Sequence, residues 1–289
     1  MPDTRTRNHA RIRARARPQR QRQPRTDNDE EGPPTRLPAR GWTRPTEPAT
    51  ISPVSARPFS AVTFDAGSTL LYCDPTPQEL YAKALSRHGR SVRADDVGPI
   101  FTAAWTEMQR RTRPGQDRYS SVCGGERAWW GAFLREVLER LDHDAPWQEL
   151  LDDLYAAFAR ADVWRLFPEV VTTLEALRAQ SLRLAVISNW DTRLPDILRH
   201  LELDRYFAEV TVSSIEGVEK PDPEIFRCTV ERLGVAAEET LHVGDSPRED
   251  CHGAAAAGLT PVLLDRSDLF ADEPYRRIST LDELLGLVG

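Results

Sequence analysis

At 289 residues, with 40% apolar content and 38 basic against 45 acidic side chains, the chain is long enough for one sizeable core plus an accessory unit. No stretch approaches the roughly 18 consecutive apolar residues of a membrane-spanning helix, so no membrane partner is expected. The cysteines Cys73, Cys123, Cys228 and Cys251 lack CxxC or Cys/His spacing, which argues against structural zinc and fits a reduced, cytoplasmic setting.

The first fifty residues hold twelve Arg against six Asp or Glu, so the remainder of the chain is acidic. Rich in Arg, Pro, Gln and Thr and poor in aliphatic residues, this segment cannot bury enough surface to offset the entropy of ordering it. Residues 1–56 are therefore expected to be a disordered Arg/Pro-rich tail. The run RIRARARPQRQRQPR (11–25) has the charge to hold phosphate backbones nonspecifically. An inert tail is the simpler reading, no nucleic-acid partner is expected, and the segment lacks the apolar core of a secretory signal.

Ala61 to Phe64, Leu182 to Ile187, Val210 to Val212 and Leu241 to Val243 are short β-branched or apolar runs bounded by polar residues, and read as buried parallel strands. After the first of them, residues 75–165 show no convincing strand. Four amphipathic helices are predicted there, near 76–88, 95–111, 124–141 and 146–162. Trp105, Trp129, Trp130, Phe133, Leu134, Leu138, Trp147, Leu151, Leu154 and Phe158 recur at helical spacing, as the core of a small bundle would. Arg110, Arg111, Arg113 and Arg118, around RRTRPGQDRYSS, are candidates to meet an anionic substrate, with a solvated charge the default for each. Strand and helix alternate elsewhere, predicting an α/β fold with a doubly wound, Rossmann-like parallel sheet (57–74 and 166–289) and a helical insertion after the first strand (75–165). Ligands collect beyond the carboxyl ends of such strands, where Asp65, Ser188 and Asp245 all fall.

Four segments at those strand ends, FDAGST (64–69), ISN (187–189), EKPDPEIF (219–226) and HVGDSPRED (242–250), resemble the haloacid dehalogenase superfamily, with its Asp, Ser/Thr, Lys and GDxxxxD motifs in this order. The resemblance covers about 57–286 and implies that the insertion is the superfamily's first type of helical cap. The runs RLAVISNWDTRL and KPDPEIF are most similar to the branch containing haloacid dehalogenase-like hydrolase domain-containing protein 3.

The residues carry a chemistry of their own. Asp65 ends a buried strand, where an unpaired carboxylate is costly, so it is expected to bind a cation or act as a nucleophile. Asp245 would converge on it, and two carboxylates repel unless a cation lies between them. Oxygen-only ligands select Mg²⁺, which leaves room for waters and a phosphate oxygen. By resemblance, the carbonyl of Gly67 supplies a third ligand. Asp250 is expected to complete the metal site by orienting a metal-bound water. Around a phosphoryl group, Ser188 offers a hydroxyl and Asn189 a backbone N–H, with Ala66 and Gly67 also at the substrate. Lys220, one of two lysines with Lys83, brings a positive charge that should hold Asp65 ionised.

One departure stands out. Family phosphatases place a second Asp two residues after the nucleophile, as acid and base, and this chain has Gly67. Losing such a group typically costs about 10²- to 10⁴-fold. The expectation is a Mg²⁺-dependent phosphatase for a small phosphorylated metabolite, slowed or restricted to good leaving groups such as acyl, aryl or anhydride types. The alternatives are a catalytically weak phosphate-ligand-binding protein, or a C–X or C–P bond hydrolase. Metal-free family dehalogenases lack the Asp present here as Asp245, and a Schiff-base route to C–P cleavage needs a cap lysine, for which Lys83 is the sole candidate.

Overall fold

A computed structural model describes residues 59–289 except 90, 114 and 143. The expected tail and its arginine run lie outside the described residues. Along the chain come strands β1 (Ala61–Phe64) and β2 (Leu71–Cys73), helices α1 (Pro77–Arg87), α2 (Ala94–Arg111), α3 (Gly125–Arg140) and α4 (Trp147–Ala159), then β3 (Trp164–Leu166) and α5 (Val170–Ala179). The second half runs β4 (Arg183–Ser188), α6 (Leu194–His200), β5 (Glu209–Val212), α7 (Ser213–Glu216), α8 (Pro223–Leu233), β6 (Thr240–Gly244), α9 (Gly253–Ala257), β7 (Thr260–Leu264), β8 (Arg276–Ile278) and α10 (Leu285–Val288).

Six strands form a parallel sheet in the order β5-β4-β1-β6-β7-β8. Strand β1, which leads into Asp65, is central, flanked by β4, which ends at Ser188, and by β6, which leads into Asp245. Side chains alternate between faces as strand geometry requires. Val62, Phe64, Leu184, Val186, Leu241 and Val243 pack with α5 and α6, while Ala61, Ala185 and Ile187 pack with α8 and α9. Helices on both faces make the sheet doubly wound.

The four insertion helices fall within a few residues of their predicted spans, and local signals set their ends. Thr76 and Glu79 form a capping box before α1, with Pro77 at the first helical turn. Asp95 and Asp96 open α2 and Arg110 and Arg111 close it, matching the helix dipole. Leu85, Ala104, Trp129, Phe133, Leu134 and Leu150 have no more than 1% exposure and give the insertion a core of its own.

The strand-free reading of 75–165 needs correction at its end, because β3 begins at Trp164 and pairs antiparallel with β2. Leu71 pairs with Leu166 and Cys73 with Trp164, so a short ladder closes the insertion at its base. Strands β7 and β8 were not anticipated either; they extend the sheet beyond β6.

Candidate active site

The peptide after β1 turns tightly. Asp65 N–H donates to Val243 O at 2.9 Å, prolonging the ladder by one residue. Leu70 and Leu71 N–H then return to the Ala66 carbonyl at 2.9 and 3.0 Å, and Ser68 N–H reaches Leu71 O at 2.8 Å. Ala66 is thus fully buried and structural through its carbonyl, whereas the Gly67 carbonyl accepts no hydrogen bond among the described residues.

Asp65, Ser188, Asn189, Lys220, Asp245 and Asp250 all border one cavity of about 550 Å³ beneath the insertion. Asp65 Oδ1 accepts from Lys220 Nζ at 2.7 Å and from Ser188 Oγ at 3.0 Å. Lys220 Nζ also donates to Asp250 Oδ1 at 2.6 Å, so the lysine bridges two buried carboxylates. Burial alone would depress the Lys220 ammonium, but Asp250 and Asp65 outweigh it and raise its pKa. Asp250 moves the other way: burial is overcome by Lys220 and His242, and its carboxyl is held well below the ordinary range.

Asp250 was expected among the metal-site residues, and the geometry gives it a supporting place. Its Oδ1 is taken by Lys220 and by His242 Nε2 at 3.3 Å, and its Oδ2 accepts Ser246 N–H at 2.8 Å. Burial keeps His242 neutral, with Thr63 Oγ1 at 2.9 Å from Nδ1. The Thr63 hydroxyl also donates to Leu241 O at 3.2 Å. Gly244 makes the arrangement sterically feasible, because a Cβ there would lie 2.1 Å from Asp250 Cγ.

Protein groups alone leave the carboxylates of Asp65 and Asp245 undercompensated. Burial raises the Asp65 carboxyl above its ordinary range; Lys220 and Ser188 pull it down and Asp250 pushes it up. Asp245, half-buried and without an ion pair among the described residues, is pushed up to about 8 by burial and then by Asp65 and Asp250. A divalent cation between them would relieve both. Among the described residues no three His, Cys, Asp or Glu side chains form a ready-made cage. Two carboxylates with a free carbonyl instead suit Mg²⁺, which retains waters and takes substrate oxygens. The donor set therefore fits that ion.

Asn189 acts as a clamp. Its Oδ1 accepts Lys220 N–H at 2.7 Å, and its Nδ2 donates to Lys220 O at 2.9 Å and to Glu249 Oε2 at 3.0 Å. The insertion reaches the same glutamate through Gln109 Nε2 at 3.4 Å and through Arg118 Nη2 at 3.7 Å from Glu249 Oε1. Of the four candidate arginines Arg118 alone borders the cavity. It is 2% exposed, bonds Glu219 Oε2 through Nε at 2.6 Å and lies over the Trp105 ring, while its Nη2 has no hydrogen-bond partner among the described residues. Arg110 and Arg111 pair with Glu107 at the surface. Lys83 is exposed and outside the cavity, which leaves the Schiff-base alternative without its amine.

Several contributors were not foreseen. Trp190, directly after ISN, lies where a side chain at position 67 would go: a Cβ on Gly67 would stand 3.3 Å from Trp190 Cζ3. Fully buried Asp191 receives Trp130 Nε1–H at 2.8 Å and also pairs with Arg193, whose guanidinium sits 4.0 Å over the Tyr155 ring. Glu126 accepts Thr192 N–H at 2.8 Å. These contacts hold the insertion down beside the second motif, whose polar run NWDTR carried the signal.

A family model described as haloacid dehalogenase-like hydrolase matches residues 59–258. Haloacid dehalogenase-like hydrolase domain-containing protein 3 of Danio rerio is 30% identical over 78% of this chain and 95% of its own length. Phosphoserine phosphatase of Thermus thermophilus is 36% identical over 48% of this chain and 57% of its own length. Among solved structures, a HAD phosphatase from Thermococcus onnurineus is 27% identical with a TM-score of 0.56, covering 80% of this chain and 98% of that one. Solved haloacid dehalogenases share the fold as well.

Proposed function

We propose that this chain, which belongs to the haloacid dehalogenase-like hydrolase family, hydrolyses a small phosphorylated metabolite through an aspartyl-phosphate on Asp65 with Mg²⁺ as cofactor. The observation that carries this reading is the cluster at the strand ends, with Asp65 held by Lys220 and Ser188 beside an undercompensated Asp245. Mg²⁺, held by Asp65, Asp245 and the Gly67 carbonyl, would neutralise phosphoryl charge and favour the ionised nucleophile.

Asp65 Oδ2, which has no hydrogen-bond partner among the described residues, forms a bond to phosphorus while the bond from phosphorus to the leaving oxygen breaks, that oxygen keeping the electron pair. Ser188 and Lys220, both 2% exposed, point fixed donors at the same spot and so stabilise equatorial oxygens without reorganisation. Asp250 and Asn189 position Lys220. Water then opens the acyl phosphate, returning the Asp65 carboxylate and releasing phosphate. Gly67 offers no acid to the first step and no base to the second, so the reading includes low rates or leaving groups that depart unprotonated.

A phosphoester panel with and without Mg²⁺, run on the wild type and on Asp65→Asn, tests the proposal. Turnover should require both the ion and the carboxylate. Cleavage that survives Asp65→Asn would discard the covalent route, and chloride release from a haloacid without metal would favour the dehalogenase reading. Among the described residues no helix is long and apolar enough to cross a membrane.

A further inference from the structure

Within the phosphatase reading, on which this step rests, we infer that the substrate is an aryl phosphate, a monoester whose leaving group is a phenol-type oxygen on a planar ring. Two independent features converge on that class. The first is the wall of the cavity. Trp129 and Phe133 are buried in the insertion's core away from the cavity, whereas Phe101, Trp105 and Trp130 are half-buried and border it, together with the buried Tyr81 and Tyr119. Trp164 and Trp190 border it too, their ring centroids 5.0 Å apart. Aromatic faces and edges around a void match a flat ring, which gains more from them than an aliphatic chain of equal size.

The second feature is the missing acid. At Gly67 the space for a side chain is already bordered by Trp190, 3.3 Å from where a Cβ would be, and position 67 itself supplies no carboxyl. A phenol ionises near pH ~10, as tyrosine does, whereas an alkoxide resembles hydroxide, whose parent water ionises at about 15.7. When Asp65 displaces an aryl oxygen, the phenolate departs with its electron pair and collects a proton from solvent afterwards. An alkoxide needs that proton during the step. Acyl phosphates and anhydrides also leave unaided, but neither class as such calls for aromatic walls.

The test uses full-length protein with Mg²⁺. It compares kcat/KM for phenyl phosphate and n-hexyl phosphate, and inhibition by phenylphosphonate and methylphosphonate, which do not react and so report fit alone. Phenyl phosphate should exceed hexyl phosphate by at least about 10²-fold, the contribution of the absent acid. Phenylphosphonate should inhibit at roughly tenfold lower concentration than methylphosphonate, and Phe101→Leu should shrink that ratio by about two- to tenfold, as expected for one aromatic contact. Equal turnover of the two esters, or phosphonates of equal potency, overturns the aryl assignment and leaves the phosphatase reading standing. If no phosphate ester is cleaved, the phosphatase reading fails and the assignment falls with it.

Discussion

Restoring an aspartate at position 67 is the most direct perturbation of the chemistry proposed for this site. Gly67 is not among the residues with positive φ, so its backbone conformation is open to an aspartate. The steric demand is a single contact, 3.3 Å from the new Cβ to Trp190 Cζ3, which a shift of a few tenths of an ångström relieves. Overpacking of this kind destabilises a fold by about 1–3 kcal/mol, and the half-buried Trp190 ring sets it near the lower end. The catalytic return is larger, because a positioned acid contributes about 10²- to 10⁴-fold, or roughly 3–5 kcal/mol of barrier. Gly67→Asp should therefore raise kcat/KM for alkyl phosphates by at least about 10²-fold and change aryl phosphates little. The assay is a series of monoesters graded in leaving-group acidity. The wild type should show a steep dependence of log kcat/KM on leaving-group pKa, and the variant a shallow one. A second variant, Gly67→Asp with Trp190→Phe, removes the contact and should gain as much or more. A folded Gly67→Asp protein with the wild-type dependence would refute the argument that the empty position limits the reaction.

Three further outcomes are expected. Lys220→Met strands Asp65 and Asp250 in a buried site, so a cost of about 3–5 kcal/mol should appear as a large loss in urea or thermal unfolding. Trp129→Ala, at 1% exposure in the insertion core, should cost about 3–5 kcal/mol and leave binding of inorganic phosphate at the sheet measurable. The effect of Mg²⁺ on melting temperature should depend on pH through Asp245. Its folded pKa is raised from 3.8 to about 8, so the stability it contributes is complete below 3.8 and is lost as pH rises toward 8. Mg²⁺ binds the ionised form and restores that loss, so the thermal shift should grow with pH up to about 8 and flatten in Asp245→Asn.

The parts of the fold that were legible are those where pattern and chemistry coincide. Strands β1, β4 and β6 stand out because a buried apolar run breaks abruptly at Asp65, Ser188 or Asp245. Strand β7 is as apolar and also breaks at an aspartate, but Asp265 accepts the Leu269 and Phe270 N–H groups and pairs with Arg277 outside the cavity, and β8 is three residues long with two arginines. The β2–β3 ladder joins segments some ninety residues apart, a pairing that local periodicity does not encode. In the site, the residues on the sheet edge were readable one by one. The cap's share was not: four arginines looked alike until burial against Trp105 and Glu219 singled out Arg118. Trp190 lay in plain view after ISN, yet only geometry relates it to Gly67.

The short chain of contacts from Gln109 and Arg118 to Glu249, from Glu249 to Asn189, and from Asn189 to both backbone groups of Lys220 ties the insertion to the residues around Asp65. Removing either contact from the insertion would therefore loosen the grip on the Lys220 backbone, and with it the placement of the ammonium that meets Asp65.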